Sequence, residues 1–178
     1  MLQGWVLLAF EQACQRLLAN KQFGSAAYAA VGEALFWACV CDEGYESLLA
    51  TRYTEARTAD YEGRVLRGVR WVRNRTTHQR AVVLHQHYGA EIDGLVLDSA
   101  QLDTRTHLKW RRSEEIPPGK HDGGRDVYDQ RLSGQPVEEA VNACRSWFFG
   151  RTLNEVSKAA GMAVGELPGL PEPSEPTG

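Results

Sequence analysis

With 178 residues, 43% of them hydrophobic and 24% charged, the chain has the balance of a globular protein and the length for one domain with a tail. Its formal net charge of −3 argues against nonspecific coating of long duplex nucleic acid, although a local basic patch can still bind.

The first predicted element covers residues 2–19, with Leu2, Trp5, Ala9, Ala13 and Leu17 on one helical stripe. No cationic segment precedes it, and the apolar run Trp5–Phe10 is too short for a signal or a membrane span, so a cytoplasmic location away from membranes is expected. Ser25 is a candidate N-cap for a second helix over 26–41, apolar nearly all round and therefore read as central and buried. Glu33 is its only charge. A carboxylate there needs a partner, either an arginine or the helix that carries the motif described below. Cys14, Cys39, Cys41 and Cys144 form no CxxC pair and lie mostly in apolar surroundings, which suits small buried thiols better than a disulfide or a metal site.

A short helix follows over 45–57. Asp60 then caps a long one over about 61–88, with Tyr61, Val65, Val69, Val72 and Thr76 facing inward. Gly63 and Gly68 lower its propensity and could let another helix approach closely. After Gly89 the pattern turns extended and Pro/Gly-rich, suggesting a small β-hairpin or irregular insert at about 90–135. Helix resumes after Pro136, where Glu138 and Glu139 suit the N-terminal dipole and Val141, Cys144 and Phe148 form a stripe. Four prolines after Gly165 mark a disordered tail, placed at 161–178, behind a domain of 1–160. The expected fold is an all-α bundle with a small β decoration.

Residues 70–80, RWVRNRTTHQR, concentrate Arg70, Arg73, Asn74, Arg75, His78 and Arg80 in three turns of a mildly acidic chain. Arginine offers a permanent charge and a planar fork for phosphate oxygens, and histidine moves a proton near neutrality. Asn74 and His78 are i,i+4 neighbours, whereas Arg73 and His78 lie roughly 140° apart around an ideal helix. Helix distortion, a long arginine reach, or a second copy would be needed to aim both at one phosphate; the last option predicts a symmetric dimer. The chemistry that suits the set is attack of an RNA 2′-hydroxyl on the adjacent phosphorus. His78 would handle the proton and Arg73 the charge on the non-bridging oxygens; the P–O5′ bond breaks, leaving a 2′,3′-cyclic phosphate and a free 5′-hydroxyl without a metal or other cofactor.

The run Arg73-Asn74-Arg75-Thr76-Thr77-His78 resembles the R-x(4–6)-H motif of HEPN domains, including the polar residue after the arginine. That resemblance implies a four- or five-helix bundle and metal-independent endoribonuclease action at a homodimer interface. It also implies a role as a toxin, checked by an antitoxin or a defence-system partner, or as a defence effector; some HEPN domains instead serve as non-catalytic modules that bind RNA, nucleotide or protein. Carried over, Arg73 and His78 would be catalytic and Asn74 supporting, with Arg70, Arg75 and Arg80 contacting the RNA backbone and Glu33 assisting the motif helix.

His85 and His87 form an HxH pair that would need a third ligand such as Asp93 or His121, and no metal site is expected. Trp110-Arg111-Arg112 could stack and hold an unpaired base, although a strand tryptophan is more often a packing residue.

Overall fold

The computed structural model describes residues 4–19, 24–78, 84–87, 91–92, 95–96, 107–119 and 122–150. Five helices dominate them: α1 (Gly4–Ala19), α2 (Ser25–Ala59), α3 (Tyr61–His78), α4 (Arg125–Arg131) and α5 (Val137–Phe149). Two short antiparallel pairs lie between α3 and α4: β1 (Leu84–His87) with β4 (His107–Trp110), and β2 (Glu91–Ile92) with β3 (Leu95–Val96). The protein is thus an all-α bundle with a small β insert.

In α1 the buried stripe is Val6, Leu7, Phe10, Ala13, Cys14 and Leu17, the spacing of a helix lying on a core. Trp5, expected on that stripe, faces outward instead, because the buried arc is centred on Phe10. The expected helices over 26–41 and 45–57 run together as α2, with no break at Gly44. The irregularity falls at Ala50, whose φ of 48° and ψ of −126° bend the run. Ser25 is the first helical residue rather than the cap, which is Gly24. Nor is the second helix buried all round: Ala26, Ala29, Gly32 and Phe36 form an exposed stripe.

Asp60 caps α3 as its sequence context suggests, accepting from the backbone N–H of Glu62 at 2.9 Å and of Gly63 at 3.2 Å. Val65, Leu66, Val69 and Val72 face the core, while Tyr61 is exposed. The helix ends at His78, so the expected continuation to 88 gives way to strand at Leu84. Both glycines of α3 admit a neighbour. A Cβ on Gly63 would meet the Arg57 carbonyl oxygen at 2.6 Å, and one on Gly68 would meet Leu132 at 2.8 Å.

The region expected as a loose insert is partly core. Trp110 is fully buried, and its backbone N–H donates to the Gln135 carbonyl at 3.0 Å, tying β4 to the start of α5. Tyr128 of α4 lies against Trp71 of α3 with ring centroids 4.5 Å apart, and its hydroxyl donates to the Arg111 carbonyl. Residues 125–131, read as extended from sequence, are helix because Tyr128 and Leu132 are buried beside Gly68. The four cysteines are buried free thiols. No described helix is long and apolar enough to cross a membrane. The tail at 161–178 lies outside the described residues.

Candidate functional site

α2 and α3 pack side by side, and along their seam three carboxylates meet three arginines. Asp42, Glu43 and Glu46 come from α2, where a continuous helix through Gly44 brings all three to one side. Arg57 comes from the end of α2, and Arg70 and Arg73 stand three residues apart on α3.

Asp42 is the hub and is fully buried. Arg57 Nη1 donates to both of its oxygens at 2.8 Å, the Tyr53 hydroxyl donates to Oδ1 at 2.7 Å, and Arg70 Nη1 stands 3.2 Å from Oδ2. Trp147 Nε1 of α5 in turn donates to the Tyr53 oxygen at 3.1 Å, so the hub is wired into the core. Arg70 also donates to Glu46 at 2.9 Å. Burial would push the Glu46 carboxyl up, but hydrogen bonding from Arg70 and the charges of Arg57 and Arg70 outweigh it, leaving it below its usual range.

Arg73 belongs to the outer edge of this array. Its Nη2 donates to Glu43 Oε1 at 2.8 Å, with Arg73 22% and Glu43 48% exposed. The Cys39 thiol lies behind it; burial pushes that thiol up to about 11, against the pull of Arg73. Asn74 is exposed beside Arg73, and Thr77 donates to the Arg73 carbonyl at 2.7 Å in the last turn. His78 is the final residue of α3; its imidazole lies outside the described residues, as do Arg80 and the side chains of His85 and His87.

Several sequence expectations change here. Arg75 does not face a phosphate backbone: it is buried, stacks over Trp71 at 5.5 Å and donates to the Pro117 carbonyl. Arg70 is engaged by three carboxylates rather than presented to RNA. Glu33 does not reach the motif helix but pairs with Arg16 of α1, at 2.5 and 3.0 Å, on the surface. Trp110 is a packing residue. The carboxylate that does touch Arg73 is Glu43, which sequence reasoning passed over. Its signal was the cluster Asp42, Glu43 and Glu46 at the end of an apolar run, meaningful only once the helix is known to continue through Gly44.

Chemically, the array is a balanced set of charges with a partly exposed guanidinium at its rim, close to the end of α3. The fold and site define a helical bundle with a buried arginine–carboxylate seam. Compared with protein-family models, curated proteins and solved structures, the chain matches none.

Proposed function

We propose that the chain is a metal-independent endoribonuclease of the HEPN type, a toxin or anti-phage effector working as a homodimer. The observation that carries this reading is Arg73: a partly exposed guanidinium, held by Glu43, next to exposed Asn74 and five residues before His78 at the helix end. A cation already fixed in place loses little freedom when it takes up charge on the phosphate oxygens. His78 moves the proton of the attacking 2′-hydroxyl, and Asn74 orients the imidazole or the substrate through hydrogen bonds. Exposed Phe36 on α2, seven residues before Glu43 and hence on the same face, supports a second copy seated beside this edge. An antitoxin would be a natural partner for such a protein.

Arg73→Ala and His78→Ala should each lower cleavage of single-stranded RNA in EDTA by about 10²-fold or more, with 2′,3′-cyclic phosphate ends on the parent's products. Circular dichroism and sedimentation would show that both variants remain folded dimers. A His78→Ala protein that cuts as fast as its parent sinks the assignment.

One observation favours a second reading. Arg70 and Arg73 are already neutralised by Asp42, Glu43 and Glu46, so a phosphate must displace or share Glu43 to reach Arg73. A non-catalytic module of the same fold, binding RNA, nucleotide or a protein, would tolerate that competition. Salt-sensitive RNA binding with no cleavage of any RNA tested would establish it.

A further inference from the structure

Arg70 and Arg75 are engaged within the fold, yet α3 presents two other arginines to solvent. Arg64 is exposed, and the Arg67 side chain is 59% exposed. Arg67 and Asn74 are two helical turns apart and so share one line along α3, with Arg64 one turn before and position 78 one turn after. Arg64 makes an ion pair with no described residue; its Nε donates to the Asp60 carbonyl at 3.2 Å, one turn back. Arg67 faces Asp126 of α4 at 3.5 Å, a contact so exposed on both sides that water and salt weaken it.

Tyr61 opens the line and is half exposed. The Arg131 guanidinium of α4 sits over its ring, 4.6 Å from the centroid, which holds the plane of the ring in place. An aromatic ring steadied in this way, with half its surface open, is a platform for an unpaired base. Asp126 and Asp129 of α4 and the capping Asp60 keep the net charge around the line low. There is thus no broad positive field for a duplex backbone, and a short single strand, whose bases are free to stack, fits better. From Tyr61 to Asn74 the helix rises about 20 Å, the reach of about four nucleotides, at the short end of single-strand sites.

We infer that single-stranded RNA lies along this line of α3. One base stacks on Tyr61, and neighbouring phosphates meet Arg64 and Arg67 on the way to Asn74 and Arg73. The inference rests on the ribonuclease reading for what happens at Arg73, but the binding it describes is measured without cleavage.

The test uses the full-length protein and a short, fluorescein-labelled single strand of 2′-O-methyl RNA, whose blocked 2′-oxygen cannot attack. The parent should bind it with an affinity that falls as salt rises. In Arg64→Ala/Arg67→Ala the slope of log affinity against log salt should lessen by about 1.4, the loss of two single-strand phosphate contacts. Tyr61→Ala should weaken binding about fivefold or more with the slope unchanged, and Tyr61→Phe should bind like the parent. Asp126→Asn removes the acid that competes for Arg67 and should tighten binding about twofold. Arg16→Ala takes the same charge from α1 and should change nothing. An unchanged slope in the double variant, an equal loss in Arg16→Ala, weaker binding in Asp126→Asn, or duplex RNA bound as tightly as the single strand would each overturn the proposal. If the binding results hold while His78→Ala cuts like its parent, only the catalytic reading falls. If cleavage needs Arg73 and His78 while the double variant binds normally, only the Arg64–Arg67 line falls.

Discussion

Asp42 shows how one side chain can organise two helices. It has no exposure, yet a hydroxyl and two guanidinium groups satisfy it. Removing the carboxylate would leave Arg57 and Arg70 facing an unfilled, poorly hydrated hole. Asp42→Ala should therefore cost about 3–5 kcal/mol, measured by urea unfolding at neutral pH. Glu33→Ala provides the contrast, because its pair with Arg16 is largely exposed and contributes about 0.2–1 kcal/mol. If the two variants lose stability equally, the seam is not an internal anchor. Arg75 carries the same lesson for arginines: one residue after exposed Asn74 and two after partly exposed Arg73, it is core, because Trp71 and the Pro117 carbonyl accept it.

Among the elements, glycine positions separate helix propensity from packing. Gly32 lies in α2 with nothing within 4 Å of where a Cβ would sit, so alanine there should gain about 0.5–1 kcal/mol from propensity alone. Gly63 lies in the first turn of α3, where a Cβ would press on the Arg57 backbone at 2.6 to 3.1 Å. Alanine there gains the same propensity but must push α3 from the end of α2, so a net loss of about 1–3 kcal/mol is expected. Thermal melts of the two variants should therefore move in opposite directions. The turn between α2 and α3 owes its tightness to that contact and to the Asp60 cap, and it sets the register in which Arg70 and Arg73 meet the carboxylates.

For the whole molecule, charge pairing between distant segments predicts how it responds to acid. The hydrogen bond from Arg145 holds the Glu11 carboxyl below its usual range against the opposing effect of burial, and Gln15 adds to it. Glu46 is also held low. Both carboxyls have lower folded than unfolded pKa values. Their stabilisation is therefore complete above the unfolded value near 4.5 and is lost as pH falls through the folded values. The melting temperature should stay level from neutrality to about pH 5 and then drop, with a shallower acid limb in Glu11→Gln and Glu46→Gln. An acid limb unchanged in both variants would remove these pairs from the account. The Glu11 pair joins α1 to α5 across 134 residues of sequence, so its loss loosens the contact between those two helices.

Helical identity was legible in the sequence because it is local. Apolar spacing in α1, α3 and α5, the Asp60 cap and the approach of Gly63 to Arg57 all follow from residues within a few turns of each other. The concentration of Arg70, Arg73, Asn74, Arg75 and His78 was equally plain. What these arginines face was not, since their hydrogen-bonding partners lie elsewhere in the chain: Glu43 is 30 residues from Arg73, and Pro117 is 42 from Arg75. Sequence spacing sets which side of a helix a residue occupies. Only packing decides whether that side meets water, a carboxylate or the core, because burial and electrostatic pairing depend on distance in space, and folding alone sets that distance.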